Sequence, residues 1–267
     1  MNLITSSQNQ VIKEIKALKQ KKYREEQNRF FIEGLRFVEE GLNEKADIAA
    51  IIQSNTFFES ELGKKFNEKN SNPDFPVYII TDKLFLEICE TENPQGISAV
   101  VGIKSYTIEE IIKKGKFILI LENIQDPGNL GTIIRTADAS GVAGIIISKG
   151  CVDPYNAKVL RSTMGSIFHV SISCSEDIIL TLKELKSMGY KIYATHLKAE
   201  QSYFEVDYNG NIAVVIGNEA KGVSETVTDF ADFLVKIPMP GKAESLNAAV
   251  AAGLLMYEAV RQGIVQK

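Results

Sequence analysis

Residues 117–137 read FILILENIQDPGNLGTIIRTA. The five apolar residues 117–121 suit a strand buried on both faces, as in the interior of a parallel sheet. The strand gives way to a turn rich in Asp, Pro, Gly and Asn, and a helix is expected to begin near Asn129. Gly128 and Gly131 allow close backbone approach, and the new helix N-terminus is a natural anion site. Arg135 stands one to two turns into that helix, where its permanently charged fork can grip a phosphate or carboxylate. A salt bridge is the ordinary alternative for a single arginine. Runs of the same apolar character recur at residues 144–147, 192–194, 212–216 and 233–237, with a helical pattern over 177–188. Such alternation predicts a doubly wound α/β sheet.

Two more segments depart from plain strand-to-helix connections. Residues 214–224, VVIGNEAKGVS, run from a buried strand into a glycine-rich turn in which Glu219 is the one acid, between Gly217 and Gly222. Such a turn lies at the carboxyl end of its strand, where open α/β sheets place ligands. The plainer reading is a loop with Ser224 capping a short helix. Residues 235–258, VKIPMPGKAESLNAAVAAGLLMYE, pass Pro238 and Pro240, turn at Gly241 and are expected to enter a helix at Ser245. Ala248, Ala249, Ala251, Ala252 and Gly253 keep that helix small on nearly every side, which suits close packing in a core or at a subunit interface.

The remainder of the 267-residue chain bounds what these segments can be. Hydrophobic content of 45% and charged content of 24% are those of an ordinary globular protein, and the length favours two domains. There is no apolar run long enough to span a membrane and no signal-peptide core in MNLITSSQNQVIKEIK, so a cytoplasmic protein is expected. Cys89, Cys151 and Cys174 are scattered and only His169 and His196 accompany them, so no metal site is expected. Gly128 and Gly131 lack the spacing of a dinucleotide fingerprint, which weakens an oxidoreductase reading. Gly241 and Lys242 are followed by Ala243, so no P-loop is present.

Residues 30–102 alternate short apolar runs with helical patterns and predict a small α/β domain, followed by a polar linker over 103–116 and the larger domain over 117–267. The net charge of −4 is unevenly spread. Residues 1–29, expected as a basic helix, carry Lys13, Lys16, Lys19, Lys21, Lys22, Arg24 and Arg29 against Glu14, Glu25 and Glu26. Such an excess marks either a polyanion-binding arm or the solvated face of an amphipathic helix, since Val11, Ile15 and Leu18 recur at helical spacing.

Taken together, the three segments resemble the signature motifs of the SpoU (TrmH) family of RNA 2'-O-ribose methyltransferases in the SPOUT superfamily. The first motif corresponds to Asn129, Gly131, Arg135, Thr136 and Ala137. The second corresponds to Gly217, Glu219, Gly222 and Ser224, and the third to Ile237, Pro238, Met239, Gly241, Ser245, Leu246 and Asn247. Ala248 and Ala249 stand where many members carry Val and Ser.

The resemblance implies a C-terminal parallel-sheet methyltransferase domain tied in a trefoil knot, preceded by a small α/β RNA-binding domain. It implies S-adenosyl-L-methionine as cofactor, held by Thr195, Gly217, Ile237, Met239, Ser245, Leu246 and Asn247. The active-site polar residues would be Asn129, Arg135, Glu219, Ser245 and Asn247. It also implies a homodimer acting on structured RNA, ribosomal RNA ahead of transfer RNA, with neither DNA nor membrane as partner. In that light the basic residues of 1–29, with Arg135, become expected RNA contacts. A catalytically silent RNA-binding protein on the same fold is the rival reading.

Overall fold

The computed structural model describes residues 3–263. Residues 1 and 2 of the expected basic helix and residues 264–267 of the expected catalytic domain lie outside them. The chain divides into two compact units, one running to Lys104 and taking in Tyr155–Leu160, the other made of Ser105–Pro154 and the described residues from Arg161 onward.

The first unit opens with α1 (Gln10–Ala17) and α2 (Lys21–Gln27), then β1 (Arg29–Glu33), α3 (Leu35–Asn43), β2 (Ile48–Ser54), α4 (Asn55–Glu59), α5 (Glu61–Lys69), β3 (Val77–Ile80), α6 (Asp82–Ile88) and β4 (Ile97–Gly102). The strands order as β1-β4-β2-β3, with β4 antiparallel to both its neighbours and β3 parallel to β2. Asn9 caps α1 through its side chain, and the helix buries Ile12 and Ile15 while Leu18 follows at its end. These three join Ile52, Ile80, Leu84, Phe85 and Ile88 in one core. Full burial of a side chain of this size contributes about 1.5–3 kcal/mol. The boundary expected at residue 29 therefore falls inside this unit, and the expected single basic helix is two short ones.

Several basic side chains expected to contact RNA are used within this fold. Arg24 is buried, and its guanidinium donates to the Leu18 and Lys19 carbonyls at 2.7 and 2.9 Å. The end of a helix leaves its last carbonyls without intrahelical partners, and Arg24 satisfies those just beyond α1. Arg24 as an RNA contact is corrected on this ground. Lys16 pairs with Glu87 at 2.6 Å, and Lys19 donates to the Glu87 and Cys89 carbonyls at the end of α6. Lys21 and Lys22 form loose i,i+4 pairs with Glu25 and Glu26. Lys13 and Arg29 are exposed and make no side-chain hydrogen bond or ion pair with any described residue.

The second unit contains α7 (Ile108–Ile112), β5 (Phe117–Leu121), α8 (Pro127–Ser140), β6 (Gly144–Ser148), the last residues of α9 (Ala157–Thr163), β7 (Ile172–Ser175), α10 (Ile178–Ser187), β8 (Lys191–Thr195), β9 (Gln201–Ser202), β10 (Ile212–Ile216), α11 (Glu225–Phe230), β11 (Phe233–Lys236) and α12 (Ala248–Arg261). Seven strands, all parallel, order as β7-β6-β5-β10-β8-β11-β9. Every residue of β5 and β10 is buried, as expected for strands covered on both faces. One face packs Ile118, Ile120, Ala213 and Val215 against Leu182 and Leu185 of α10, Val227 of α11 and Ile111 of α7. The expected linker thus contributes to this core a short helix, α7, which buries Ile111. A capping box of Thr107 and Glu110 starts that helix. Elsewhere in the unit α8 and α12 pack against each other. Among the described residues no helix is long and apolar enough to cross a membrane.

If α1 is integral to the first unit, Ile12→Ala should cost it about 2–4 kcal/mol. Urea unfolding with hydrogen exchange of the β2 and β4 amides measures this; unchanged protection in those strands would show that α1 does not support them.

Candidate active site

The chain runs from β5 outward to β6 and β7, and returns through β8 and β10 on the other side of β5. That reversal places the carboxyl ends of β5 and β10 beside each other, and Ile216 stands opposite Leu121 in parallel register. Open α/β sheets bind ligands at such a switch point. The residues that follow the two strands belong to the first and second motifs.

The first motif is set by a helix cap. Asp126 accepts from the Asn129 backbone N–H at 2.7 Å, and Pro127 occupies the first helical position, where its missing N–H costs nothing. The helix therefore begins two residues ahead of the expected start. The third motif ends on another cap. Asn247 Oδ1 accepts from the backbone N–H groups of Ala249 and Val250 at 2.9 and 3.3 Å. Here the helix starts at Ala248, later than the expected Ser245, and residues 237–247 form an irregular, largely exposed loop.

One side chain joins the three motifs. Asn129 Nδ2 donates to Glu219 Oε1 at 3.0 Å, and Asn129 Oδ1 accepts from Asn247 Nδ2 at 2.8 Å. Glu219 also accepts from the backbone N–H groups of Asp126 at 3.2 Å and Gln125 at 3.3 Å. Burial pushes the Glu219 carboxyl up, but the hydrogen bonds from Asn129 and from the backbone outweigh it, and its pKa lies below the ordinary carboxylate value. The two contacts fix the orientation of the Asn129 amide and leave it one N–H and one oxygen lone pair for a ligand.

The second motif is a tight hairpin, with Asn218 and Gly222 exchanging backbone hydrogen bonds at 3.0 and 2.8 Å. A Cβ on Gly217 would lie 2.2 Å from the Gly222 carbonyl carbon and the Val223 nitrogen, so that position requires glycine, and the φ of +71° at Gly222 favours it. Asn218 braces the turn, accepting from Ala220 and Lys221 and donating to the Asn123 carbonyl at 2.8 Å. Glu122, buried at the end of β5, anchors the far side by accepting from the Ser224 backbone N–H at 2.9 Å and its hydroxyl at 2.7 Å.

The structure thus brings Asn129, Glu219 and Asn247 together. Arg135 is exposed and takes no hydrogen bond or ion pair from any described residue, and the same holds for the Ser245 side chain. Thr195 gives its hydroxyl to the Val215 carbonyl at 3.1 Å, so it ties β8 to β10. A cleft of about 420 Å³ is lined by Ile237 and Met239 together with Leu197, Lys236, Pro238, Pro240 and Glu244. Gly217, Leu246 and Asn247 do not line it; Leu246 is 37% exposed on the loop. Sequence reasoning did not single out Glu122, Asp126 or Asn218. For Asp126 the signal was present, since Asp followed by Pro announces a helix start. Glu122 and Asn218 gave none, because their partners are 102 and 95 residues away.

The hydrogen bonds to ionised Glu219 give a pH signature. A carboxyl whose folded pKa is depressed stabilises fully above its ordinary value, 4.5, and loses that contribution as pH falls through the folded value. The gap in melting temperature between wild type and Glu219→Ala should therefore be constant at neutral pH and close in the acid range below 4.5; a gap that persists there would assign the stability to packing.

Residues 116–257 match the SpoU rRNA methylase family, and residues 9–99 match the MRM3-like substrate binding domain. The chain is 36% identical over 258 residues to the 23S rRNA (guanosine(2553)-2'-O)-methyltransferase RlmP of Bacillus subtilis, covering 96% of this chain and 98% of that one. Among solved structures, an AdoMet-bound rRNA methyltransferase from Sinorhizobium meliloti is 32% identical with a TM-score of 0.84 over 97% of each chain. The SpoU methyltransferase AviRb from Streptomyces viridochromogenes, in complex with AdoMet, is 26% identical with a TM-score of 0.87, covering 97% of this chain and 100% of that one. With three motifs meeting on Asn129 and a match that spans both units, the chain belongs to the SpoU rRNA methylase family.

Proposed function

We propose that this protein transfers a methyl group from S-adenosyl-L-methionine to the 2'-hydroxyl of a ribose in structured RNA, with ribosomal RNA as substrate. The observation that carries the reading is the hydrogen-bonded line from Glu219 through Asn129 to Asn247, which holds all three motifs at the carboxyl ends of β5 and β10. A cleft of about 420 Å³ falls in the range of small-molecule pockets, and its apolar lining by Leu197, Ile237 and Met239 suits an adenine ring. Its lining carries one charge of each sign, Lys236 and Glu244. When bound, S-adenosyl-L-methionine supplies a methyl group already activated on a sulfonium. In this reading Ile237 and Met239 hold its adenosine end, and Gly217, Thr195, Ser245, Leu246 and Asn247 shape the surrounding loops.

The protein's own task is the acceptor. A ribose hydroxyl is a poor nucleophile until its proton leaves, and negative charge then develops on oxygen. Glu219 accepts from an amide and from two backbone N–H groups, all neutral donors, so its charge is satisfied without a cation. Arg135, unpaired on the α8 surface, is left to grip the adjacent phosphate and stabilise the developing oxyanion. Its guanidinium does not give up a proton readily, so it acts as a fixed charge rather than as a base. Asn129, oriented from both sides, positions the ribose with its remaining donor and acceptor. Lys13, Lys16, Lys19, Lys21, Lys22 and Arg29 are the further RNA contacts in this proposal, with Lys13 and Arg29 the most available. A homodimer completes it: α12 turns Val250 and Tyr257, each 51% exposed and seven residues apart on one helix face, outward, an apolar pair suited to a second copy. The same reading includes the trefoil knot, supported by the insertion of β10 between β5 and β8, and a cytoplasmic location.

Incubating the protein with S-adenosyl-L-methionine and separate pools of ribosomal RNA, transfer RNA and DNA, followed by mapping of modified nucleotides, tests the reaction. The expected product is a ribose-methylated nucleotide in ribosomal RNA. Methylation of transfer RNA alone would move the substrate, and no methylation of either, with no heat on cofactor titration, would favour a silent RNA-binding protein. Arg135→Lys should lower kcat by about 100-fold with cofactor affinity unchanged; transfer within a few-fold of wild type would remove the forked-cation role.

A further inference from the structure

Between β5 and α8 the backbone N–H groups of residues 123–126 belong to no strand or helix. Each finds a partner within the protein, and the four divide in two directions. The Asn123 N–H donates to Ser148 Oγ at 3.0 Å and the Ile124 N–H to Cys151 Sγ at 3.2 Å. The next two, of Gln125 and Asp126, turn the other way and meet the Glu219 carboxylate. Asn123 adopts φ +56°, a left-handed conformation that asparagine tolerates better than most residues, and this bends the chain between the two directions. Where the second pair points is therefore set by where the first pair is held.

The first pair is held by a turn after β6 that belongs to none of the three motifs. Ser148 ends that strand, and the Cys151 N–H closes the turn on the Ser148 carbonyl at 2.9 Å. The Lys149 N–H donates to the Ser175 carbonyl at 3.0 Å, which pins the turn to the neighbouring β7. Further contacts reach the 123–126 segment. Gln125 Nε2 donates to the Gly150 carbonyl at 2.5 Å, and the Ile124 carbonyl accepts from the Val152 N–H at 2.8 Å. Cys151 Sγ donates to the Leu121 carbonyl at 3.3 Å, and burial pushes its thiol pKa up, so the proton stays on at neutral pH. A Cβ on Gly150 would lie 1.7 Å from Asn123 Oδ1, so the turn and Asn123 meet with no room for a side chain between them. On the other side the Asn123 carbonyl accepts from Asn218.

We propose that the turn over residues 148–151 is a positioning element for methyl transfer: Ser148, Gly150 and Cys151 hold residues 123–125 so that Gln125 and Asp126 present their N–H groups to Glu219, and Glu219 aims the Asn129 amide at the ribose. The inference rests on the methyltransferase reading given above. In that reading none of the three residues touches RNA or cofactor; they act through the backbone and through Glu219. The Asp126 and Gln125 contacts to Glu219 measure 3.2 and 3.3 Å, so a displacement of a few tenths of an ångström carries them past hydrogen-bonding distance. Misplacement on that scale is costly in rate.

Ser148→Ala and Cys151→Ala each remove an acceptor, whereas Ser148→Thr and Cys151→Ser keep one. With the full-length protein and ribosomal RNA, each alanine variant should lower kcat about tenfold while the Kd for S-adenosyl-L-methionine and the KM for RNA stay within about twofold. The conservative variants should restore most of the loss. An NMR titration of the Glu219 side-chain carboxyl distinguishes positioning from a loss of folded protein. Both alanine variants should raise its pKa toward 4.5, because two backbone donors are weakened, and the conservative variants should return it. Partial unfolding would lower kcat without moving Glu219 in the molecules that stay folded. Gln125→Ala, which cuts the Gly150 contact from an exposed position, gives the same readout should Cys151→Ala not fold. An unmoved Glu219, a kcat within about twofold of wild type, or a loss that Thr and Ser do not restore would each overturn the proposal. The titration needs no substrate. Glu219 moved by the alanine variants of a protein whose wild type methylates no RNA sinks only the methyltransferase reading, whereas methylation by wild type with Glu219 unmoved sinks only the brace.

Discussion

Everything at the candidate site depends on how one asparagine amide is held. Asn129 gives its nitrogen to Glu219 and receives Asn247 on its oxygen, and each partner is itself fixed by backbone. The three motifs come from distant stretches of chain, and the Asn129 to Asn247 contact alone closes a separation of 118 residues. Hydrogen bonds of this kind are individually modest, and their weight here lies in geometry. The Glu219 carboxylate is satisfied by neutral donors alone, and Arg135 pairs with no described residue.

Local signals made much of this legible. The all-apolar runs at β5 and β10 announced strands covered on both faces, because a half-exposed strand would have alternated. Gly217 and Gly222 were readable as a turn, and the structure shows the reason, a hairpin too tight for a side chain at one position and left-handed at the other. The strands β7 and β9 were not legible. Ile172–Ser175 is half polar and Gln201–Ser202 is two residues long, so neither carries a pattern, and both lie at the edges of the sheet. The helix limits near 127 and 248 moved because capping side chains, rather than the onset of small or apolar residues, decide where backbone hydrogen bonding begins.

The basic front of the chain shows where counting charge misleads. Seven cations within 29 residues read as one surface, yet the fold spends Arg24 on carbonyls beyond a helix end and Lys16 and Lys19 on the end of α6. A sequence reports that a cation exists and not which carbonyl will consume it. What remains available, Lys13 and Arg29, is a smaller and more selective set.

The position of β10 sets a condition on biosynthesis. Its neighbours β5 and β8 begin about 95 and 20 residues earlier in the chain, and the strand fills the gap between them. A ribosome delivers residues in order, so the middle of the sheet stays open until the chain has emerged past Ile216, with the apolar sides of β5 and β8 unpaired in the meantime. Vectorial synthesis therefore exposes this protein to a vulnerable interval that a meandering sheet would avoid, and a nascent chain halted short of that strand would carry an incomplete core rather than a smaller stable one.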